Sequence, residues 1–273
     1  GAQGTKPIAF TLYVAGNTGQ KQLDDIVARS NLSCNALGLT HLKPIINLNK
    51  DVYTEGEVDI AGTVLGVIDS GDLITGKNVN EGDVIIGLST DCLMTNGYSL
   101  ARKYREMLNK DRGHDPESKN IPGLIGTSVN DELRKTHRPY TDILFGTGNT
   151  EGILSVFKGK IKATAHITGG GQKDNIPRMV PAGLCAEVTR GVLPLPPIVE
   201  YFRHYGADME AMCEAFNMGV GYTVTVDSSV ADQVVKYINK HFRHAIPGVE
   251  RAAEVIGMIK PSQQGERFRY AAN

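Results

Sequence analysis

A chain of 273 residues, 41% hydrophobic and 22% charged, can bury a sizeable core and is too ordinary in composition for a disordered or fibrous protein. Lys plus Arg number 29 against Asp plus Glu 30, a formal net charge of -1, and no basic tract is long enough to track a phosphate backbone, so nucleic acid is excluded as the expected partner. Length alone fits one large domain or two smaller ones.

The densest basic cluster, Lys158, Lys160 and Lys162, reads as a solvated edge that discourages sheet pairing. The four cysteines, Cys34, Cys92, Cys185 and Cys213, form no C-x-x-C pair and read as reduced thiols rather than a zinc site or a disulfide framework. No apolar run reaches the roughly 20 residues needed to span a bilayer, and the opening GAQGTKPIAF lacks the pattern of a secretory leader. A cytoplasmic protein with no membrane partner is expected.

In chain order, IAFTLYV (8–14) is a β-rich run followed by a helical pattern with Leu23, Ile26, Val27 and Cys34 on one face. VDIAGTVLGVID (58–69) and NEGDVIIGLS (80–89) read as strands, the second entered through a Gly-Asp turn. Tyr98, Leu100, Ala101, Tyr104 and Leu108 give a helix with an apolar stripe, and the polar stretch NKDRGHDPESKN after it reads as a domain boundary. Two domains are therefore expected, 1–115 and 116–273. IKATAHIT (161–168) and LCAEVTR (184–190) are further strands, a helix starts at about Pro197 behind the PLPP breaker, and GYTVTVD (221–227) alternates as a half-buried strand. SSVADQVVKYINKHF then predicts a helix with serine at its cap, and AEVIGMIKP a last strand. Strands interleaved with helices, some joined antiparallel, indicate an α+β fold.

One stretch concentrates chemistry. In AHITGGGQKDNIPR (165–178), three glycines directly after a strand free the backbone for positive φ and let consecutive N–H groups converge on an anion. His166 stands before the glycines with two residues between, Asn175 and Arg178 follow them, and Pro177 suits the first turn of a short helix. Imidazole moves protons near neutral pH, guanidinium holds phosphate bidentately, and the amide orients a polar group. The bland reading, a tight turn beside a core histidine, stands against it for the glycines taken alone.

The pattern HITGGG…NIPR resembles the signature of the aminoimidazole ribonucleotide synthetase family, also called phosphoribosylformylglycinamidine cyclo-ligases, of purine biosynthesis. GDVIIGL (82–88) with NGYSLARK (96–103), DVYTEGEVDIAG (51–62) and FNMGVG (216–221) are similar to further family blocks in the same order. The resemblance runs from about Pro7 to Lys260. It implies a PurM-like two-domain fold, with an N-terminal mixed sheet forming a homodimer interface and a C-terminal α/β domain on the substrate side. It also implies ATP-dependent cyclisation of formylglycinamidine ribonucleotide, with Mg²⁺, His166 as the active-site histidine, and Thr168, Gly169, Gly170, Gly171, Asn175, Arg178 and Asn96 lining the phosphorylated ribonucleotide.

The sequence departs from the family pattern in three places. The family's Asp-Gly-Val-Gly-Thr-Lys nucleotide loop lies upstream of the strand that QGTKPIAF resembles, so half of an ATP site is expected to be missing. HLKPIINLNK (41–50) stands where the family carries Gly-Gly-Glu-Thr-Ala-Glu-Met-Pro, and Met94 stands where a histidine is common. Asparagine and lysine cannot replace a carboxylate pair in holding magnesium. A non-catalytic binding or scaffold protein on the same fold is therefore the alternative. A related kinase acting on another phosphorylated substrate is disfavoured by NIPR and FNMG.

Overall fold

The computed structural model describes residues 4–120, 123–124, 126–137, 139–243 and 250–271. The chain divides into two compact units between Leu73 and Ile74.

The first unit is built on β1 (Lys6–Gly16), followed by α1 (Gln20–Ala36), β2 (Thr40–His41), β3 (Ile45–Leu48) and β4 (Val58–Val67). β1 pairs in parallel with β2 and β3, and antiparallel with β4 along its length, with a register shift between Pro7 and Ala9. Alternation along β1 turns Leu12 and Val14 toward Leu23 of α1, and these three form the unit's small core. Elsewhere the sheet is bare: Ile45, Ile46 and Leu48 of β3 and Ile60, Val64, Leu65 and Val67 of β4 are all exposed.

The second unit contains β5 (Val84–Ser89), α2 (Tyr98–Arg112), α3 (Val129–Leu133), α4 (Thr141–Phe145), the two-residue strands β6 (Gly146–Thr147) and β7 (Thr150–Glu151), and α5 (Ile153–Val156). It continues through β8 (Ile161–His166), α6 (Gly171–Asn175), β9 (Leu184–Val188), α7 (Pro197–His204) and α8 (Met209–Ala215). β10 (Val220–Val226), α9 (Ala231–His241), β11 (Ala253–Pro261) and β12 (Phe268–Tyr270) complete it. Six strands form one sheet in the order β12-β9-β11-β5-β10-β8, antiparallel except for β9 with β12.

Both faces of this sheet are covered, so β5 reads as a nearly continuous apolar run, and β10, expected from its alternation to be half-buried, is buried along its whole length. Ile86 and Leu88 face Val234 and Ile238 of α9 together with Ile143 and Leu144 of α4. Ile85 faces the opposite cluster, with Ile176, Val180 and Leu193. A third core joins α2, α7 and α8 through Ala101, Leu108, Val199, Phe202 and Met212.

Three expectations are corrected. The division falls at 73/74 and not at 115/116, because β5 lies inside the six-stranded sheet and α2 packs on α7 and α8. The cap before α9 is Asp227, whose side chain accepts from Ser229 N in a short 3-10 turn, while α9 itself starts without a side-chain cap. Lys162 is no solvated edge residue: its side chain is 13% exposed and its ammonium lies 2.6 Å from Asp83 Oδ1.

Candidate functional site

The C-terminal ends of β5 and β8 and the start of β10 lie side by side, because β10 is antiparallel to both. The loops at this end carry the chemistry singled out in the sequence.

After β8, Ile167 turns its backbone N–H to the Gly221 carbonyl and buries its side chain. The chain then folds back on itself through Gly170 (φ +86°) and Gly171 (φ +62°) into α6. A side chain at Gly171 would strike the Cys213 carbonyl oxygen at the end of α8, so close backbone approach as well as positive φ requires glycine there. Gly169 is exposed, with open space where a side chain would point.

Asn175 is 2% exposed and closes the loop from inside. Its amide donates to the carbonyls of Thr168, Gly169 and Gly171, at 3.2, 3.2 and 2.7 Å, and its Oδ1 accepts from the Thr168 hydroxyl at 2.9 Å. Thr168 and Asn175 therefore shape the loop with groups that are no longer free for a ligand. Arg178, in the 3-10 turn after α6, is exposed.

His166 is partly buried at the end of β8, and its Nε2 is enclosed with no hydrogen-bond partner among the described residues. Burial depresses its pKa below the ordinary imidazole value, so the ring is neutral at neutral pH. The His137 ring lies 5.4 Å from it, and burial, reinforced by the neighbouring His166, brings His137 down to about 4. Tyr222 faces His166 across the β8–β10 pair. Its hydroxyl donates to Thr164 Oγ1 at 3.0 Å, and burial pushes its pKa up to about 12.

Asn96, on the loop before α2, donates to the Ala215 carbonyl at 2.6 Å, while its Oδ1 is buried and unpartnered among the described residues. Asn217 holds the neighbouring turns together. Fully buried, it donates to the Cys92 and Leu93 carbonyls, accepts from Gly219 N, and offers its own carbonyl to Gln172.

His137, Tyr222 and Asn217 were not foreseen as site residues. FNMG was a visible signal for Asn217, through the positive φ of Met218 and Gly219. His137 stands in THRPY, a polar run with no periodicity, and gave none.

In the first unit, residues 41–50 carry the edge strand β3 with its exposed apolar side chains. Among the described residues no group of three His, Cys, Asp or Glu side chains is placed to hold a metal ion. These residues do not fit a magnesium-bound triphosphate unaided. No described helix is long and apolar enough to cross a membrane.

Comparison with known proteins places this arrangement. The model of the AIR synthase related protein C-terminal domain matches residues 80–266. The phosphoribosylformylglycinamidine cyclo-ligase of Bacillus subtilis is 34% identical over 273 residues, covering 99% of this chain and 72% of its own. That of Acetivibrio thermocellus is 32% identical over 264 residues, covering 96% and 71%. The crystal structure of hydrogenase maturation protein HypE in complex with ATP superposes with a TM-score of 0.58 at 14% identity, covering 96% of this chain and 68% of that one, a likeness of fold. With a PurM-like α+β fold, a family model matching residues 80–266, and relatives above 30% identity along nearly its whole length, the chain belongs to the phosphoribosylformylglycinamidine cyclo-ligase family of enzymes.

Proposed function

We propose that this chain binds formylglycinamidine ribonucleotide at the ends of β5, β8 and β10, and that His166 serves the closure of its imidazole ring to aminoimidazole ribonucleotide. The observation that carries the reading is the buried, unpartnered Nε2 of a neutral His166, three residues before Gly169, at which the outer edge of the glycine loop is open. A neutral imidazole can take the proton that the attacking nitrogen releases as the ring closes, or donate a hydrogen bond to the amide oxygen that departs. Gly169, Gly170 and Arg178 offer backbone N–H groups and a positive charge to the substrate phosphate. Thr168, Asn175 and Gly171 hold that loop in shape. Asn96 Oδ1 offers an acceptor to a substrate N–H.

The resemblance assigns activation of the formyl oxygen to ATP with Mg²⁺. Because the described residues do not fit that group unaided, a second reading is kept: a binding or scaffold protein that has retained the substrate cleft without ATP chemistry. The bare sheet of the first unit supports a homodimer in either case.

Calorimetric titration with Mg-ATP and, separately, with a ribonucleotide phosphate divides the two readings. The enzyme binds both and turns substrate over, and His166→Ala lowers turnover by about 100-fold without lowering the melting temperature. Binding of the ribonucleotide without Mg-ATP binding, and without cyclisation, would establish the scaffold. If His166→Ala costs stability but leaves normal activity per folded molecule, the histidine belongs to the core and not to the chemistry.

A further inference from the structure

Four rings follow one another across the strand ends: His137, His166, Tyr222 and Tyr140. Their successive centroid separations are 5.4, 6.2 and 5.3 Å, with tilts of 33°, 30° and 37°. β8 and β10 supply the inner pair, His166 opposite Tyr222 in register. The outer pair comes from one short piece of chain, in which His137 and Tyr140 are three residues apart.

That piece is fastened on both sides of His137. The Tyr140 hydroxyl donates to the Ser89 carbonyl of β5 at 2.8 Å. It does so past Gly221, where any side chain would strike the Tyr140 hydroxyl and the Met94 sulfur. Two residues before His137, the Lys135 ammonium lies 2.9 Å from Glu132 Oε2, which is 3% exposed, and 3.7 Å from Asp91 Oδ2. It also donates to the Asp91 carbonyl at 3.3 Å. Residues on either side of His137 are thus pinned to β5 and to the loop after it.

From this placement we infer that His137 is a positioning residue: it packs its ring against the His166 imidazole, fixes that ring's orientation and keeps water from it. The inference rests on the proposed function only for what His166 then does. His137 makes no hydrogen bond to His166, so its action is through packing and the exclusion of solvent. The titratable groups that face His166 among the described residues are His137 from the connecting segment and Tyr222 from β10. Further along β8, the charge of Lys162 is matched by Asp83.

The test compares the full chain with His137→Ala and His137→Phe, following the His166 ring by NMR as pH is varied. Alanine opens the covered side to water, and the His166 titration midpoint rises toward the ordinary imidazole value. Phenylalanine restores the cover without a titratable group, and the midpoint stays low. On the same samples, His137→Ala lowers kcat by about tenfold or more with KM little changed, as expected when a reacting group is misplaced, and His137→Phe recovers most of it. An unchanged His166 titration in His137→Ala, or a His137→Phe variant that titrates like alanine, overturns the inference. A wild-type chain without ATP-dependent cyclisation overturns the cyclo-ligase reading instead, while the titrations still decide whether His137 positions His166.

Discussion

Lys162 Nζ lies 2.6 Å from Asp83 Oδ1 and ties β8 to the entrance of β5, at the end of the sheet opposite His166. Asp83 is 4% exposed and also accepts from Asn80 N at 2.7 Å. Removing one partner of a buried pair leaves an uncompensated charge. Lys162→Met is therefore expected to lower the unfolding free energy by about 3–5 kcal/mol, read from denaturant midpoints. Adding Asp83→Asn should recover part of the loss, because the stranded charge is then gone.

Asp227 lies on the rim of the same cluster. Its carboxylate accepts from the Ser229 hydroxyl and backbone N–H and lies near Lys160 and Lys162, and these partners hold its pKa at about 2, against an ordinary 3.8. A carboxyl group whose pKa is depressed on folding stabilises above its unfolded pKa, and loses that contribution as pH falls through the folded value. The melting temperature should therefore carry an Asp227 component that fades between about pH 4 and pH 2. Asp227→Asn should flatten that part of the curve and leave the remainder unchanged.

Two neighbouring glycines should respond differently to alanine. Gly171→Ala sets a side chain at φ +62° against the Cys213 carbonyl, a strain of about 1–3 kcal/mol before the contact is counted. It is expected to lower the melting temperature and displace the loop, weakening phosphate-ligand binding with it. Gly169→Ala meets open space and should leave the fold unaltered. Equal melting temperatures for the two variants would show that the loop does not need its left-handed turn.

Arg178 is exposed, so truncating it should spare the fold. Loss of one charge-assisted phosphate contact costs about 1.5–3 kcal/mol, so Arg178→Ala should weaken a ribonucleotide phosphate about tenfold or more in calorimetry. Unchanged affinity would mean that Arg178 lies outside the phosphate contact.

The exposed side chains of β3 and β4 are expected to be covered by a second copy of the chain. Light scattering at micromolar concentration should give the mass of a dimer, and Ile60→Lys with Val64→Lys should reduce it to a monomer. A monomeric wild type removes the proposal.

Much of this architecture was legible because local rules and tertiary packing agree. The strands expected at 8–14, 58–69 and 80–89 are β1 (Lys6–Gly16), β4 (Val58–Val67) and β5 (Val84–Ser89), and the apolar stripe of α2 and the glycine loop also lie where periodicity and turn chemistry put them. α8 and β12 gave no clear pattern, being short pieces whose burial is decided by neighbours distant in sequence. The domain boundary was misplaced for a related reason: a polar run such as 109–120 marks a surface loop, and only strand pairing reveals which unit owns it. In the candidate site, the glycine run was a legible signal for the positive φ of Gly170 and Gly171. The inward turn of Asn175, spent on three carbonyls of its own loop, depends on backbone dihedrals that composition does not display.

The strand order of the second unit governs when during synthesis that unit can form. β5, from residues 84–89, finds both its neighbours in β10 and β11, from residues 220–226 and 253–261. For well over a hundred residues of translation the emerging β5 has no strand to join, and its apolar edges wait for chain that the ribosome has yet to make. β11 then enters between β5 and β9 as the last interior strand in chain order, and β12 afterwards adds to the margin beside β9. A nascent chain halted before residue 253 should therefore remain protease-sensitive from β5 onward, whereas one released after β11 should become resistant in a single step.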